Sequence, residues 1–184
     1  MGSIYKPLEV EIESAQGLPY VNHITKMKPY AVVYIWDIKN NLRSKKELSS
    51  VYTAGGSNPT WNFKVRFHID LTKAKENHYA LVVKLKSYRK THGFKDKYIG
   101  EVRVLIITEL LDGSGHAAEE KIRLSKDVQT SHDKKFQGEL ASLAFSYNFG
   151  NPIADDLTLV NIGKKRTLKD FARKLAKFLA IIIL

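Results

Sequence analysis

The 184-residue chain contains no cysteine. It can therefore form no disulfide and offers no thiolate to a metal, which suits a reducing compartment. Long hydrophobic runs are also missing: none approaches the length of about 18 residues that spans a bilayer. The opening MGSIYKPLEV has no charged-then-apolar leader. Lys6 stands where the myristoylation pattern after Gly2 requires Ser or Thr. Catalytic signatures are wanting as well. The six histidines (His23, His68, His78, His92, His116 and His132) are scattered without metal-ligand spacing. Gly113-Ser114-Gly115-His116 lacks the strand-to-helix context of a nucleophile elbow, and Gly55-Gly56-Ser57 has no following Lys-Ser/Thr of a phosphate loop. These absences point away from an enzyme. Acidic residues are few, 19 against 30 Lys and Arg, leaving a formal charge of +11. A basic balance of this kind points to a polyanionic partner.

What is present is a succession of short alternating segments. The clearest runs from Gly55 to Ile69, where the turn formers Gly55-Gly56-Ser57-Asn58-Pro59 lead into a strand. Trp61, Phe63, Val65, Phe67 and Ile69 share one face, and Asn62, Lys64, Arg66 and His68 the other. Similar strands are read at 8–13, 29–36, 42–53, 79–86, 98–105, 121–124 and 143–149, with one helical turn possible at 71–78 and a short helix at 108–111. Strand spacing with Gly, Pro and Asn punctuation, and no long helices between strands, predicts an all-β, eight-stranded antiparallel sandwich. The strand aromatics share the buried parity, opposite Lys64 and Arg66, so a base-stacking surface for nucleic acid is not expected.

Four motifs in register carry a more specific resemblance. They are Leu8-x-Val10-x-Ile12-x-x-Ala15-x-x-Leu18, Lys28-Pro29-Tyr30-Ala31-Val32-Val33, Asn58-Pro59-x-Trp61-Asn62 and Ile99-Gly100-Glu101-Val102. Together they look like a C2 domain over about residues 6 to 150. The ending Leu143-Ala-Phe-Ser-Tyr-Asn-Phe-Gly150 resembles the close of small plant C2 proteins, those induced by cold and those associated with the copine-like BONZAI proteins. The resemblance implies a sandwich that docks on membranes, without catalytic activity, in stress or defence signalling. The first motif lies in the first strand and an extra strand comes last, which implies the permuted connectivity called type II.

In calcium-binding members of that family, carboxylates from two loops hold the ions. The corresponding positions here are Asn22 and Lys28 in the first loop and Arg89, Thr91 and Lys97 in the second. Residues 87–97 hold one carboxylate, Asp96, among Arg89, Lys90, Lys95 and Lys97, with Lys86 at the edge. Calcium needs several charged oxygen ligands, so no metal or other cofactor is expected. Either the cations meet anionic headgroups directly, or the loop is a solvated basic surface. Relatives also use a lysine-rich strand face for phosphoinositides. Here Lys64 and Arg66, with Arg43 and Lys45 on the third strand and Lys84 and Lys86 on the fifth, share outward parity and are expected to form one patch, unless they are ordinary charged exposure.

The sequence divides into a C2 domain over residues 1–150, a linker over 151–163 and a basic tail over 164–184, which carries seven cations and one anion. Thr167-x-x-Asp170 resembles a capping box. Leu168, Phe171, Ala172, Leu175, Phe178, Leu179 and Ile182 then follow as one helical stripe, flanked by Lys169, Arg173, Lys174 and Lys177. Such a helix lies in a membrane interface, or it packs on the sandwich or on a partner helix. The expected partners are anionic phospholipids and a copine-like or other membrane-associated protein. The expected location is peripheral, at the cytoplasmic face of the plasma membrane or another membrane, and in the cytoplasm. The competing reading is a protein–protein adaptor without lipid contact.

Overall fold

The computed structural model describes residues 4–22, 24–89, 95–111, 120–130, 140–151 and 153–154. The expected tail helix lies outside the described residues. In chain order the strands are β1 (Ile4–Gln16), β2 (Pro29–Asp37), β3 (Leu42–Arg43), β4 (Glu47–Leu48), β5 (Thr60–Asp70), β6 (Tyr79–Ser87), β7 (Lys97–Leu105), β8 (Ile122–Asp127), β9 (Gln129–Thr130), β10 (Ser142–Phe149) and β11 (Ile153–Ala154). A short helix, α1 (Leu71–Asn77), follows β5, and a π-helical turn, Ile106–Leu111, follows β7.

The strands form two antiparallel sheets. The first runs β5-β1-β10-β8, with β11 beside the start of β1; the second runs β3-β2-β6-β7-β9, with β4 also against β2. β3 and β4 are two pieces of one edge strand, where the sequence predicts a single strand over 42–53. β8 and β9 flank Val128 and belong to different sheets, so one strand closes a side of the sandwich. Counted this way, and leaving out the two-residue β11, the eight strands expected are present among the described residues, four to a sheet. The first strand lies beside the last long one, β10, as the permuted connectivity requires.

Side chains of alternating parity fill the space between the sheets. Leu8, Val10 and Ile12 of β1 meet Ala31, Val33 and Ile35 of β2 and Phe145 of β10, all buried. A smaller cluster, Tyr30, Val32, Tyr34, Ala80 and Val82, is buried on the outer face of the second sheet. β5 does not alternate without interruption. Between the pairs Ile12–Phe63 and Ser14–Thr60 its register slips by one residue, and Asn62 takes a left-handed φ of 48°. This is a β-bulge, and asparagine tolerates that backbone better than most residues. Trp61 and Phe63 on either side still pack against the core.

Local chemistry fixes the connections. Asp70 caps α1 by accepting the Lys73 amide at 3.1 Å, and His78 ends it in a left-handed conformation. Gly55 sits at φ +69°, and a side chain there would come within 2.7 Å of the Met27 carbonyl oxygen. Its neighbour Gly56 donates its amide to that same carbonyl at 2.9 Å. The turn before β5 therefore packs directly on the loop before β2. Ile153–Ala154, within the stretch expected to be linker, pairs with Ile4 and Tyr5.

Candidate functional site

β1 ends and β2 begins at the same end of the sandwich where β6 hands over to β7. Loop 17–28 and loop 88–96 therefore meet. Their junction is built on one cross-strand pair, Ser87 of β6 and Lys97 of β7. The fully buried Ser87 hydroxyl accepts from Asn22 Nδ2 at 3.1 Å and from the Lys28 amide at 3.3 Å. The Lys97 ammonium donates to the Val21 carbonyl at 2.5 Å. Asn22 is buried and also donates to Thr25 Oγ1 and the Lys26 carbonyl, while its own Oδ1 has no donor among the described residues.

Asp96 accepts from the Tyr30 hydroxyl at 2.7 Å and from the Arg89 amide at 2.9 Å, which ties the two described ends of the second loop to each other and to β2. Burial and then this hydrogen bond push the Tyr30 phenol well above the usual tyrosine range. Among the described residues this donor set does not suit calcium. Four of the five ligand positions, Asn22, Lys28, Arg89 and Lys97, carry an amide, two lysines and an arginine, and the fifth, Thr91, lies outside the described residues. The nearby Asp96 carboxylate already accepts from Tyr30 and Arg89, and the Lys97 ammonium occupies the loop junction. Among the described residues no group of three His, Cys, Asp or Glu is placed to hold a metal ion.

The same end exposes apolar side chains. Ile24 is 98% exposed, Tyr20 59% and Tyr88 42%. Of the residues singled out in the sequence, Lys28, Arg89, Lys95 and Lys97 come together here, while Lys90 and Thr91 lie outside the described residues. Sequence reasoning missed Ile24 and Ser87. A single isoleucine within the polar stretch Asn22–Lys28 was the available signal for the first. The second depends on a long-range contact that no local pattern reveals.

The basic strand face does not form one patch. The chain crosses between sheets after β4, so β5 pairs with β1 while β3 and β6 flank β2. Lys64 and Arg66 therefore stand on the outer face of the first sheet, and Arg43, Lys84 and Lys86 on that of the second, across the core. On the first sheet the register sets Arg66 opposite Glu9 and Lys64 opposite Glu11. Arg66 forms an ion pair with Glu9, and Lys121 bonds Glu11 at 2.5 Å. The bond from Lys121 holds the Glu11 carboxyl below its ordinary range. These cations are largely answered by the chain's own carboxylates. Lys45 lies between β3 and β4 and pairs with Glu47 at 3.1 Å.

On the second sheet the cations lie over rings instead. Arg43 is 5.9 Å from Tyr34, Lys84 6.0 Å from Tyr98 and Arg103 4.9 Å from Trp36. Buried Glu101 pairs with Lys84 and Arg103 beneath them. Tyr98 is pushed up to about 12, by burial first and then by the Glu101 charge, partly offset by Arg103. Among the described residues no helix is long and apolar enough to cross a membrane. The predicted membrane-facing residues Lys169, Phe171, Arg173, Lys174, Leu175, Lys177, Phe178, Leu179 and Ile182 lie outside the described residues.

Comparison with known proteins agrees with this architecture. The family model described as "C2 domain" matches residues 6–122. Protein SRC2 of Glycine max is 38% identical over 149 residues, which cover 81% of this chain and 48% of that protein. The chain thus spans about half the length of that relative. Elicitor-responsive protein 1 of Oryza sativa subsp. japonica is 31% identical, over 76% of this chain and 83% of its own length. A C2 domain of a plant extended synaptotagmin 1 superposes with a TM-score of 0.60 at 13% identity, covering 82% of this chain and 97% of that one. By motif, topology and relatives, the chain belongs to the C2 domain family.

Proposed function

We propose that this chain is a non-catalytic, calcium-independent C2 module that docks on anionic phospholipid. The observation that carries this reading is the loop end. Exposed Ile24, Tyr20 and Tyr88 lie at the end that carries Lys28, Arg89, Lys95 and Lys97, and of these Lys28, Arg89 and Lys97 stand at positions where calcium-binding relatives carry carboxylates. Apolar tips enter the headgroup region while cations meet phosphate, each cation near an anionic leaflet contributing about 1 kcal/mol. The basic tail over 164–184, through Phe171, Phe178 and the flanking lysines, supplies a second contact, and two signals anchor more firmly than one. Arg43, Lys84 and Lys86 on the second sheet add positive potential. The module works at the cytoplasmic face of a membrane, in stress or defence signalling, a setting supported by the name of the elicitor-responsive relative. The adaptor alternative draws on a different observation: Arg103 stacked on Trp36 beside exposed Leu105 is the chemistry of a protein-contact hot spot.

Vesicle cosedimentation of the full chain and of a version ending at Gly163 tests the reading. Neutral, phosphatidylserine and phosphoinositide vesicles are compared in calcium and in chelator. Binding of both forms to anionic vesicles in chelator is expected. Binding confined to the full chain moves the function to the tail, and binding by neither leaves the adaptor reading.

A further inference from the structure

Loop 17–28 is rooted in the core by Leu18 and Met27, and its middle is fastened further by two side chains that pair across β6 and β7. Ser87 holds the Asn22 side chain and the Lys28 amide, and Lys97 holds the Val21 carbonyl. Between these attachments lies Ile24, which touches almost nothing. We infer that Ser87 and Lys97 act as a clamp in which the Lys97 ammonium supplies, from within the chain, the positive charge that organises this loop end, so that Ile24 is presented in a fixed position without any ion. This inference rests on the lipid-docking reading above, and it assigns Lys97 a positioning role rather than that of a headgroup contact.

Three features favour the clamp over a simple surface cation. Lys97 opens β7, so its backbone is fixed by the pairing with Ser87. Its ammonium bonds a backbone carbonyl, an acceptor that cannot turn away as a surface carboxylate can. The loop it holds is bonded onward, the Met27 carbonyl to the Gly56 amide and the Lys28 carbonyl to the Tyr88 amide, both at 2.9 Å. Release of residues 21–22 would therefore loosen those amides as well. Lys95, two residues away, is exposed and carries the same charge.

The test compares Lys97→Gln, Ser87→Ala and Lys95→Gln in the full chain, with a melting curve to establish that each folds. Amide exchange at Gly56 and Tyr88 is measured without lipid, and partition to phosphatidylserine vesicles is measured in chelator. Exchange faster on the order of tenfold is expected for Lys97→Gln and Ser87→Ala but not for Lys95→Gln. Partition should fall further in Lys97→Gln than in Lys95→Gln, and should fall in Ser87→Ala, which loses no charge. Equal exchange in Lys97→Gln and Lys95→Gln overturns the clamp. Faster exchange with equal loss of partition in those two overturns its role in presenting Ile24. If the unaltered chain binds no vesicle, the lipid reading fails while the exchange data still decide whether the clamp exists. If Ser87→Ala does not fold, Lys97→Gln decides alone.

Discussion

Replacing Ile24 with alanine separates docking from folding more cleanly than any other single change. The side chain is 98% exposed, so removing it takes nothing from the core, and stability should stay within about 0.5 kcal/mol of the parent. The same exposure makes the whole side chain available for transfer into lipid. Isoleucine exceeds alanine by three carbons, each worth about 0.8 kcal/mol when buried, so full insertion is worth about 2.4 kcal/mol, or roughly 50-fold in partition. The control is Ile38→Ala. Ile38 is also partly exposed, at 36%, but it follows the far end of β2. At about 3.3 Å per residue, nine strand residues place it roughly 30 Å from the loops. The assay is partition of the full chain to phosphatidylserine vesicles in chelator, with thermal melting alongside. A large loss for Ile24→Ala, with no change for Ile38→Ala and equal melting curves, is expected. Equal partition of parent and Ile24→Ala would refute the reasoning that this end enters the bilayer.

Further outcomes concern the scaffold. Phe145 is fully buried at the centre of the sandwich, and Phe145→Ala should cost about 3–5 kcal/mol in urea unfolding. Glu101→Gln leaves Lys84 and Arg103 without their counter-charge, but both are partly exposed and can turn to water. A loss of about 1–2 kcal/mol is expected, reduced by solvent screening, again by urea unfolding. Tyr79 and Tyr98 are both pushed up to about 12, chiefly by burial. The folded state holds these protons when the unfolded state, titrating near 10, has lost them, so the stabilisation is complete below pH 10 and is lost as pH rises from about 10 to 12. Phenolate absorbance should show these two rings ionising late, and denaturant midpoints should fall over the same interval.

Most of the fold is legible in the sequence because strands with one buried face announce themselves by parity. Leu8-Val10-Ile12 and Val65-Phe67-Ile69 read as inward, and they are. The break between β3 and β4 and the bulge at Asn62 escape such reading, since each depends on hydrogen bonding to a neighbouring strand rather than on the segment itself. Sheet membership escapes for the same reason. Nothing in Lys64 or Arg66 tells which strand lies beside them, although Glu9, Glu11 and Glu13, all of outward parity on β1, hint at a neighbour that would answer their charge. Within the loops, the missing carboxylates are evident from composition. That Lys97 reaches back to Val21, and that Asp96 is taken by Tyr30, requires the loops to be brought together.

The pairing of β11 with the first residues of β1 constrains how the molecule can sit on a surface. β1 is thirteen residues long and runs from that pairing to the loop end, a distance of roughly 40 Å. The twelve residues 155–166 that precede the capping box at Thr167 reach about 40 Å only when fully extended. Under the docking proposed above, a domain standing upright on its loops would bring the tail to the bilayer only with that connection drawn taut. A leaning long axis, with one sheet toward the lipid, would let one membrane take both proposed contacts with slack in the connection. The first sheet has answered its cations with glutamates, whereas the second displays Arg43, Lys84, Lys86 and Arg103 over a single buried carboxylate. Under that proposal the tether favours a recumbent posture, and the charge on the two flanks would decide which side lies down.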